Sequence, residues 1–361
     1  HIALKEGRGE QASALIRDGL VRRLRWLPPD DRDVLASLDD AAELAQQFPA
    51  APFVAELCTA WDVSAEALPA QLRADAKLMI VPGLGFAGTP RMSGGTRAYE
   101  RLSNLTTILF GADDLARVQV LLAWMRAAES EGLQRTRATA ALETARVLEK
   151  HHGPNDRTVL VCLDEAALVL AYSGDAQAAA EIALRTTAVQ EDVPEDVRDP
   201  VTSANKLRVL AWYLTMAHRC TEAKPIWERS IRAFRAVFEG EHYVVALAES
   251  GYAMCLCEEG NLQEADRLTA RALDIAEGNP RVAGDQLAHI RLARGHVLLA
   301  LGRGGEAIPV LEGAWHAMYE KHGSLLPWKV LVMEDLAAAC EHVGDRYGAA
   351  DWRDRIAKLN Q

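Results

Sequence analysis

The chain has 361 residues, about half of them apolar and a quarter charged, with few aromatics and a formal net charge of −11. This composition fits a soluble globular protein rich in packed helices, and its acidity argues against nonspecific binding to nucleic acid or anionic lipid, which need concentrated Lys and Arg. No apolar run reaches the roughly 18 residues of a membrane span, and His1–Leu4 lacks both an initiator Met and a signal-peptide core, so the chain is expected to be a trimmed or excised piece.

A Gly-x-x-x-x-Ala spacing recurs at Gly7/Ala12, Gly174/Ala179, Gly260/Ala265, Gly302/Ala307 and Gly344/Ala349. Gly132 keeps only the glycine, and Ala223 keeps the alanine with His218 in the glycine's place. From Gly132 onward the steps are 42, 44, 42, 42 and 42 residues. Many of these points are followed, half a period on, by a second turn, such as Pro28 and Pro29, Gly111, Gly153, Gly240 or Asn279 and Pro280. Each period therefore holds two helices. The glycine suits a helix C-terminus because it accepts positive φ, and the small alanine lets the next helix approach closely.

In chain order, Gly7–Trp26 reads as a second helix without its first-helix partner, which implies that the native polypeptide continues upstream. A first helix is predicted near 31–48. Lys77–Gly88 contains Gly83-x-Gly85-x-x-Gly88 after an apolar run, the spelling of a dinucleotide-binding loop, but no βαβ pattern surrounds it. The segment reads instead as a degenerate first helix that frays into an irregular loop at about 82–96. Regular repeats follow from about 113 to 361, with first helices near 114–131, 156–173, 200–217, 242–259, 284–301 and 326–343. Sixteen or seventeen helices and no sheet are expected. The acidic, proline-bearing stretch Asp192–Pro200 is a lengthened loop within the array.

The apolar stripe Leu262, Ala265, Leu268, Ala272, Ile275 and its successor Leu287, Ile290, Ala293, Val297, Leu301 have helical spacing. The six cysteines (Cys58, Cys162, Cys220, Cys255, Cys257 and Cys340) include no C-x-x-C pair and read as small buried residues in a reducing cytoplasm. No metal, cofactor or catalytic set stands out, so the chain reads as a non-enzyme without a cofactor.

The period, the hairpin signature and stretches such as Leu35–Ala42 and Gly260–Ala265 resemble the 42-residue tetratricopeptide repeats of kinesin light chains and their bacterial relatives. The resemblance implies one all-α, right-handed superhelical solenoid over 1–361 that binds a protein or peptide. It also implies that first helices line a concave groove and that two adjacent mid-helix positions touch the ligand. Counting back ten and nine residues from each phase point finds Asp39 and Asp40, Asp164 and Glu165, Arg208 and Val209, Ser250 and Gly251, Leu292 and Ala293, and Glu334 and Asp335. Three pairs are doubly acidic. The expected partner is thus a protein or peptide of basic character, or an upstream domain of the same chain, with no role for nucleic acid or membrane. The reading is a scaffold or sensor module of a larger signalling protein. The alternatives are an enzyme or nucleotide-binding protein using Gly83–Gly95, and a peptide-responsive regulator.

Overall fold

The computed structural model describes residues 2–79, 95–192, 199–280, 282, 284–321 and 326–359. Among these residues there are eighteen α-helices and no strand. The described chain groups into two compact units, 1–169 and 170–361.

The first unit contains α1 (Ile2–Lys5), α2 (Gly9–Trp26), α3 (Arg32–Gln47), α4 (Pro52–Trp61), α5 (Leu68–Met79), α6 (Gly95–Phe110), α7 (Val118–Glu131) and α8 (Gln134–His152). The helix α9 (Arg157–Tyr172) follows. The second unit continues with α10 (Ala176–Glu191), α11 (Pro200–Met216), α12 (Cys220–Val237), α13 (Tyr243–Glu258), α14 (Leu262–Glu277), α15 (Gly284–Ala300), α16 (Gly304–Lys321), α17 (Leu326–His342) and α18 (Arg346–Leu359). In the second unit the helices pack in consecutive pairs with the odd-numbered member first, α11 with α12, α13 with α14, α15 with α16 and α17 with α18.

The local signals explain the boundaries. Asp31, Asp175 and Asp199 are N-caps whose carboxylates accept backbone N–H bonds from Asp33, Ala178 and Thr202, satisfying donors that a helix start leaves open. Pro52 and Pro200 occupy first-turn positions, where a missing N–H costs nothing. At the other end, Gly7, Gly132, Gly174, Gly260, Gly302 and Gly344 all take positive φ between 72° and 88°. His218 takes φ 56° at the equivalent point, so the hairpin keeps its left-handed turn without glycine. The alanines five residues after these turns, Ala12, Ala179, Ala223, Ala265, Ala307 and Ala349, are all buried.

Packing follows consecutive pairs in the second unit and skips a helix in the early part of the first. In the second unit α13 packs on α14, α14 on α15, and the first helices α13 and α15 on each other. In the first unit α3 packs on α5 and α4 on α6. Ile290, Ala293 and Val297 of the anticipated stripe are buried, as are Ala265, Leu268 and Ala272, so the 3.6-residue period reports the core face correctly.

One helix corrects the sequence reading. Short α1, with Ala3 and Leu4 buried, packs against α2, which also rests on α3 and α4 and buries Ile16, Leu20 and Leu24. The helix anticipated as an orphan is therefore covered, and α1 takes the number of helices among the described residues one beyond seventeen. Next, α5 runs to Met79, with Leu68, Leu72 and Met79 in the core at helical spacing, and ends before the loop anticipated from about 82. Leu78 and Met79 are helical, and most of the anticipated loop 82–96 lies outside the described residues.

A polar network joins α4, α5 and α6. The buried Asp75 carboxylate accepts from Trp61 Nε1 at 2.8 Å, Arg101 Nη1 at 2.8 Å and Gln71 Nε2 at 2.9 Å. The other large buried anchor is Trp227, whose Nε1 donates to Thr215 Oγ1 at 3.0 Å.

Candidate functional site

The paired mid-helix positions behave differently from one helix to the next. On α3, Asp39 is exposed with Arg73 Nε 3.5 Å from its carboxylate, and Asp40 is half-buried. On α9, Asp164 is half-buried, and the Glu165 carboxylate forms an ion pair with Arg137 of α8. On α17, Glu334 is exposed, and burial with the neighbouring Asp335 charge raises its pKa. Asp335 itself is buried and faces His296 Nδ1 at 3.0 Å.

The remaining positions do not form a surface row. Ser250, Gly251, Leu292 and Ala293 are buried between helices. The Ser250 hydroxyl donates to the Leu247 carbonyl at 2.9 Å, and Gly251 lies beneath the Trp227 ring. On α13 the Trp227 ring of α12 covers Gly251, so the register that leaves Asp39 and Glu334 exposed is closed here.

The side chains that do gather on the first helices of the second unit come from neighbouring turns. The Trp212 ring on α11 lies 6.4 Å from the His289 ring on α15 and edge-on to Trp227 at 6.5 Å. Arg208, one turn before Trp212, is half-buried and donates through Nε and Nη2 to the Asn205 side-chain oxygen at 3.0 and 2.9 Å. Burial lowers its pKa, opposed by the nearby Tyr213 and Tyr172 hydroxyls. A guanidinium held by a neutral carboxamide keeps most of its capacity to attract an anion or a π face. Sequence reading found Arg208 but missed Trp212, His289 and His296. The available signal was that Trp212 and His296 both stand six residues before a phase point.

The two histidines of α15 titrate in opposite directions. Burial, reinforced by the Arg208 charge, pushes His289 down to about 4. For His296, burial opposes the charged form, but the Asp335 hydrogen bond and charge, helped by Glu258, outweigh it and raise the pKa. His289 therefore contributes stability that is present above the unfolded value of about 6.5 and is lost as pH falls toward 4, by at most roughly 1.4 kcal/mol per pH unit. His296 has the reverse sign, losing its contribution as pH rises through its raised value. Urea midpoints measured between pH 7 and 4.5 should fall less steeply in His289→Asn than in the parent chain. Parallel slopes would show that the ring protonates without cost.

Among the described residues, no three His, Cys, Asp or Glu side chains are grouped to hold a metal. The Gly83–Gly95 segment lies outside the described residues except for Gly95, which opens α6.

No family model and no curated protein matches the chain. Several solved structures are similar. The crystal structure of a putative kinesin light chain with nearly identical TPR-like repeats from Podosopora anserina matches 58% of this chain and 97% of its own, at 19% identity and a TM-score of 0.39. A variant of that protein matches 57% of this chain and 95% of its own, at 19% identity and a TM-score of 0.40. BtubC from P. vanneervenii matches 63% of this chain and 90% of its own, at 17% identity and a TM-score of 0.42.

Proposed function

We propose that the chain is a protein- or peptide-binding scaffold, a module of a larger signalling protein, whose partner lies against first-helix faces. Support comes from the architecture itself: helix pairs stacked at a fixed period create a row of equivalent helix faces, each free to carry its own contact residues. The observation that carries the reading is Arg208, a half-buried guanidinium held by the neutral Asn205 side chain one turn before Trp212 on the same helix. Arg and Trp are the residue types enriched at the energetic centre of protein interfaces.

In the second unit, which carries Arg208, the exposed carboxylate of Glu334 supplies an acidic position for a basic group of the partner, whereas Asp335 is already engaged by His296. Whether the partner is another chain or an upstream domain of the same polypeptide, the contact chemistry is the same. A reducing cytoplasmic setting agrees with the burial of Cys162, Cys220, Cys255 and Cys340.

A photo-crosslinker placed at position 208 should capture a defined partner that the same group at Glu264, a partly exposed residue of the second helix α14, does not. With that partner in hand, Arg208→Glu and Glu334→Lys should each weaken binding by roughly tenfold, while Glu264→Lys leaves it within twofold, about the effect of a rim charge. Equal losses from all three would assign the effect to net charge and remove the located face.

A further inference from the structure

The seam between the first helices α15 and α17 carries one polar link. Asp335 of α17 is 6% exposed, and its two carboxylate oxygens face Nδ1 of His296 on α15 at 3.0 and 3.2 Å. Among the described residues no other hydrogen bond or ion pair reaches that carboxylate. A buried carboxylate with a single partner depends on that partner's charge. Here the partner is a histidine, whose charge changes near neutral pH.

The charged groups around the ring come from every helix that packs on α15. From α13, Glu258 adds a second negative charge; its Oε1 also meets His218 Nδ1 at 3.1 Å, and its Oε2 accepts from the Cys220 thiol at 3.1 Å. Cys257 of α13 is a thiol kept protonated by burial and by the Asp335 and Glu258 charges. On α15 itself, Arg294 turns to Asp266 of α14 at 2.5 Å, and Arg303 pairs with Glu306 of α16 at 2.6 Å. Neither cation serves Asp335. On α17, burial and the Asp335 charge make Glu334 hold its proton more tightly than an ordinary glutamate.

We propose that the His296–Asp335 pair is a proton-operated latch on the last helix pair. With the imidazole charged, α17 and the α18 that follows it are held against α15. With the imidazole neutral, the buried carboxylate loses its counter-ion and the pair opens more often. The apolar contacts of the seam do not titrate: Val332, Leu336 and Ala339 pack with Ala288, Leu292 and Leu311 in either state. The latch therefore sets the frequency of local opening and leaves the helices themselves intact. It is independent of the first-helix face proposed for the partner, and failure of either leaves the other standing.

The direction follows from the surroundings. Burial opposes the charge on His296, but Asp335 and Glu258 outweigh it and raise the proton affinity of the ring. The added stability is thus complete below about pH 6.5 and is lost as pH rises through the raised value. A tenfold difference in proton affinity between docked and open α17 makes a tenfold difference in docking.

Hydrogen exchange on the full chain, corrected for the intrinsic rate at each pH, tests the latch at about pH 6 and about pH 8.5. Protection of α17 and α18 should fall roughly tenfold between the two, while that of α11 and α12 holds. His289, at about 4, stays neutral throughout. His296→Lys, a cation at both values, should keep α17 protected at the higher pH, and His296→Gln should leave it weakly protected at both. If His296→Gln does not fold, Asp335→Asn keeps the side-chain shape and should abolish the pH dependence. His218→Asn and His342→Gln, at the other histidines of these helix ends, should leave the dependence in place. Unchanged protection of α17 and α18 in the parent chain would overturn the latch. So would a pH dependence that survives in His296→Gln or Asp335→Asn, that vanishes in His218→Asn or His342→Gln, or that spreads evenly over the second unit.

Discussion

Replacing Asp75 by alanine should destabilise the first unit by about 3–5 kcal/mol, the range for removing one partner of a buried ion pair. The deleted carboxylate is the shared acceptor of three side chains from three helices, Trp61 of α4, Gln71 of α5 and Arg101 of α6. Alanine would leave the Arg101 guanidinium, whose side chain is only 12% exposed, without its counter-ion, and would orphan the Trp61 N–H. Asn at the same position keeps an acceptor but loses the charge, so Asp75→Asn should cost less, about 1.5–3 kcal/mol. Repeat arrays transmit stability through neighbouring units, so the loss should be local. Hydrogen exchange should quicken in α4–α6 and change little in α13–α16. A shift below about 1 kcal/mol in the urea midpoint energy would mean that water replaces the carboxylate without penalty.

The second large effect concerns Trp227 and the glycine that admits it. Trp227→Ala should cost about 3–5 kcal/mol, because the ring is 1% exposed and its removal leaves a cavity between α12 and α13. Gly251→Ala should cost about 1–3 kcal/mol by the opposite route, overpacking. A Cβ built there would stand 2.4 Å from Trp227 Cη2, closer than atoms tolerate, so ring or helix must move. The pair distinguishes mechanism from sensitivity. In the double variant the new methyl occupies part of the space the indole vacated, so the combined loss should be smaller than the sum by about 1 kcal/mol or more, the size of coupling expected for residues in contact. Strict additivity in denaturant titrations would show that Gly251 is needed for backbone conformation rather than for room.

How far such features can be read without coordinates depends on whether they repeat. The left-handed turn at Gly260 or Gly344 recurs at a fixed interval, so one glycine predicts the next, and even His218 was legible as a substitute because its place was known in advance. Most first helices fell within a residue or two of their expected spans, as α13 does at Tyr243–Glu258 against 242–259, since caps and turns bound them closely; α7 begins at Val118 rather than 114 because a 3-10 turn, Leu115–Arg117, precedes it. The short α1 went unread because four residues are too few to show a helical period, and its buried Ala3 and Leu4 gain their meaning only from α2.

The contact face was less legible. Counting residues from a turn gives an angular position on the helix but not which neighbour covers it, and Ser250 and Leu292 are covered where Asp39 and Glu334 are open. Trp61, Asp75 and Arg101 carry no spacing signal at all, because the three meet only after three helices have packed. Glu249 is similarly hidden, lying beside anticipated positions yet turned toward Arg235 and Arg271.

The open turns have a consequence for how such a chain can vary. At Gly7, Gly132, Gly174, Gly260 and Gly344 a built Cβ would touch nothing within 4 Å, so each turn is demanding in backbone angle and undemanding in surroundings. A change there strains only its own hairpin. The buried alanine that follows, and Gly251 beneath Trp227, are places where side-chain size is fixed by a neighbour, and much of the rest of each helix pair needs little beyond its apolar stripe. Variation can therefore proceed one pair at a time. A residue on the outward face of one first helix can be exchanged and tested by selection without renegotiating the fold of the next, so the array is free to acquire new contact chemistry piecemeal while its backbone period stays constant.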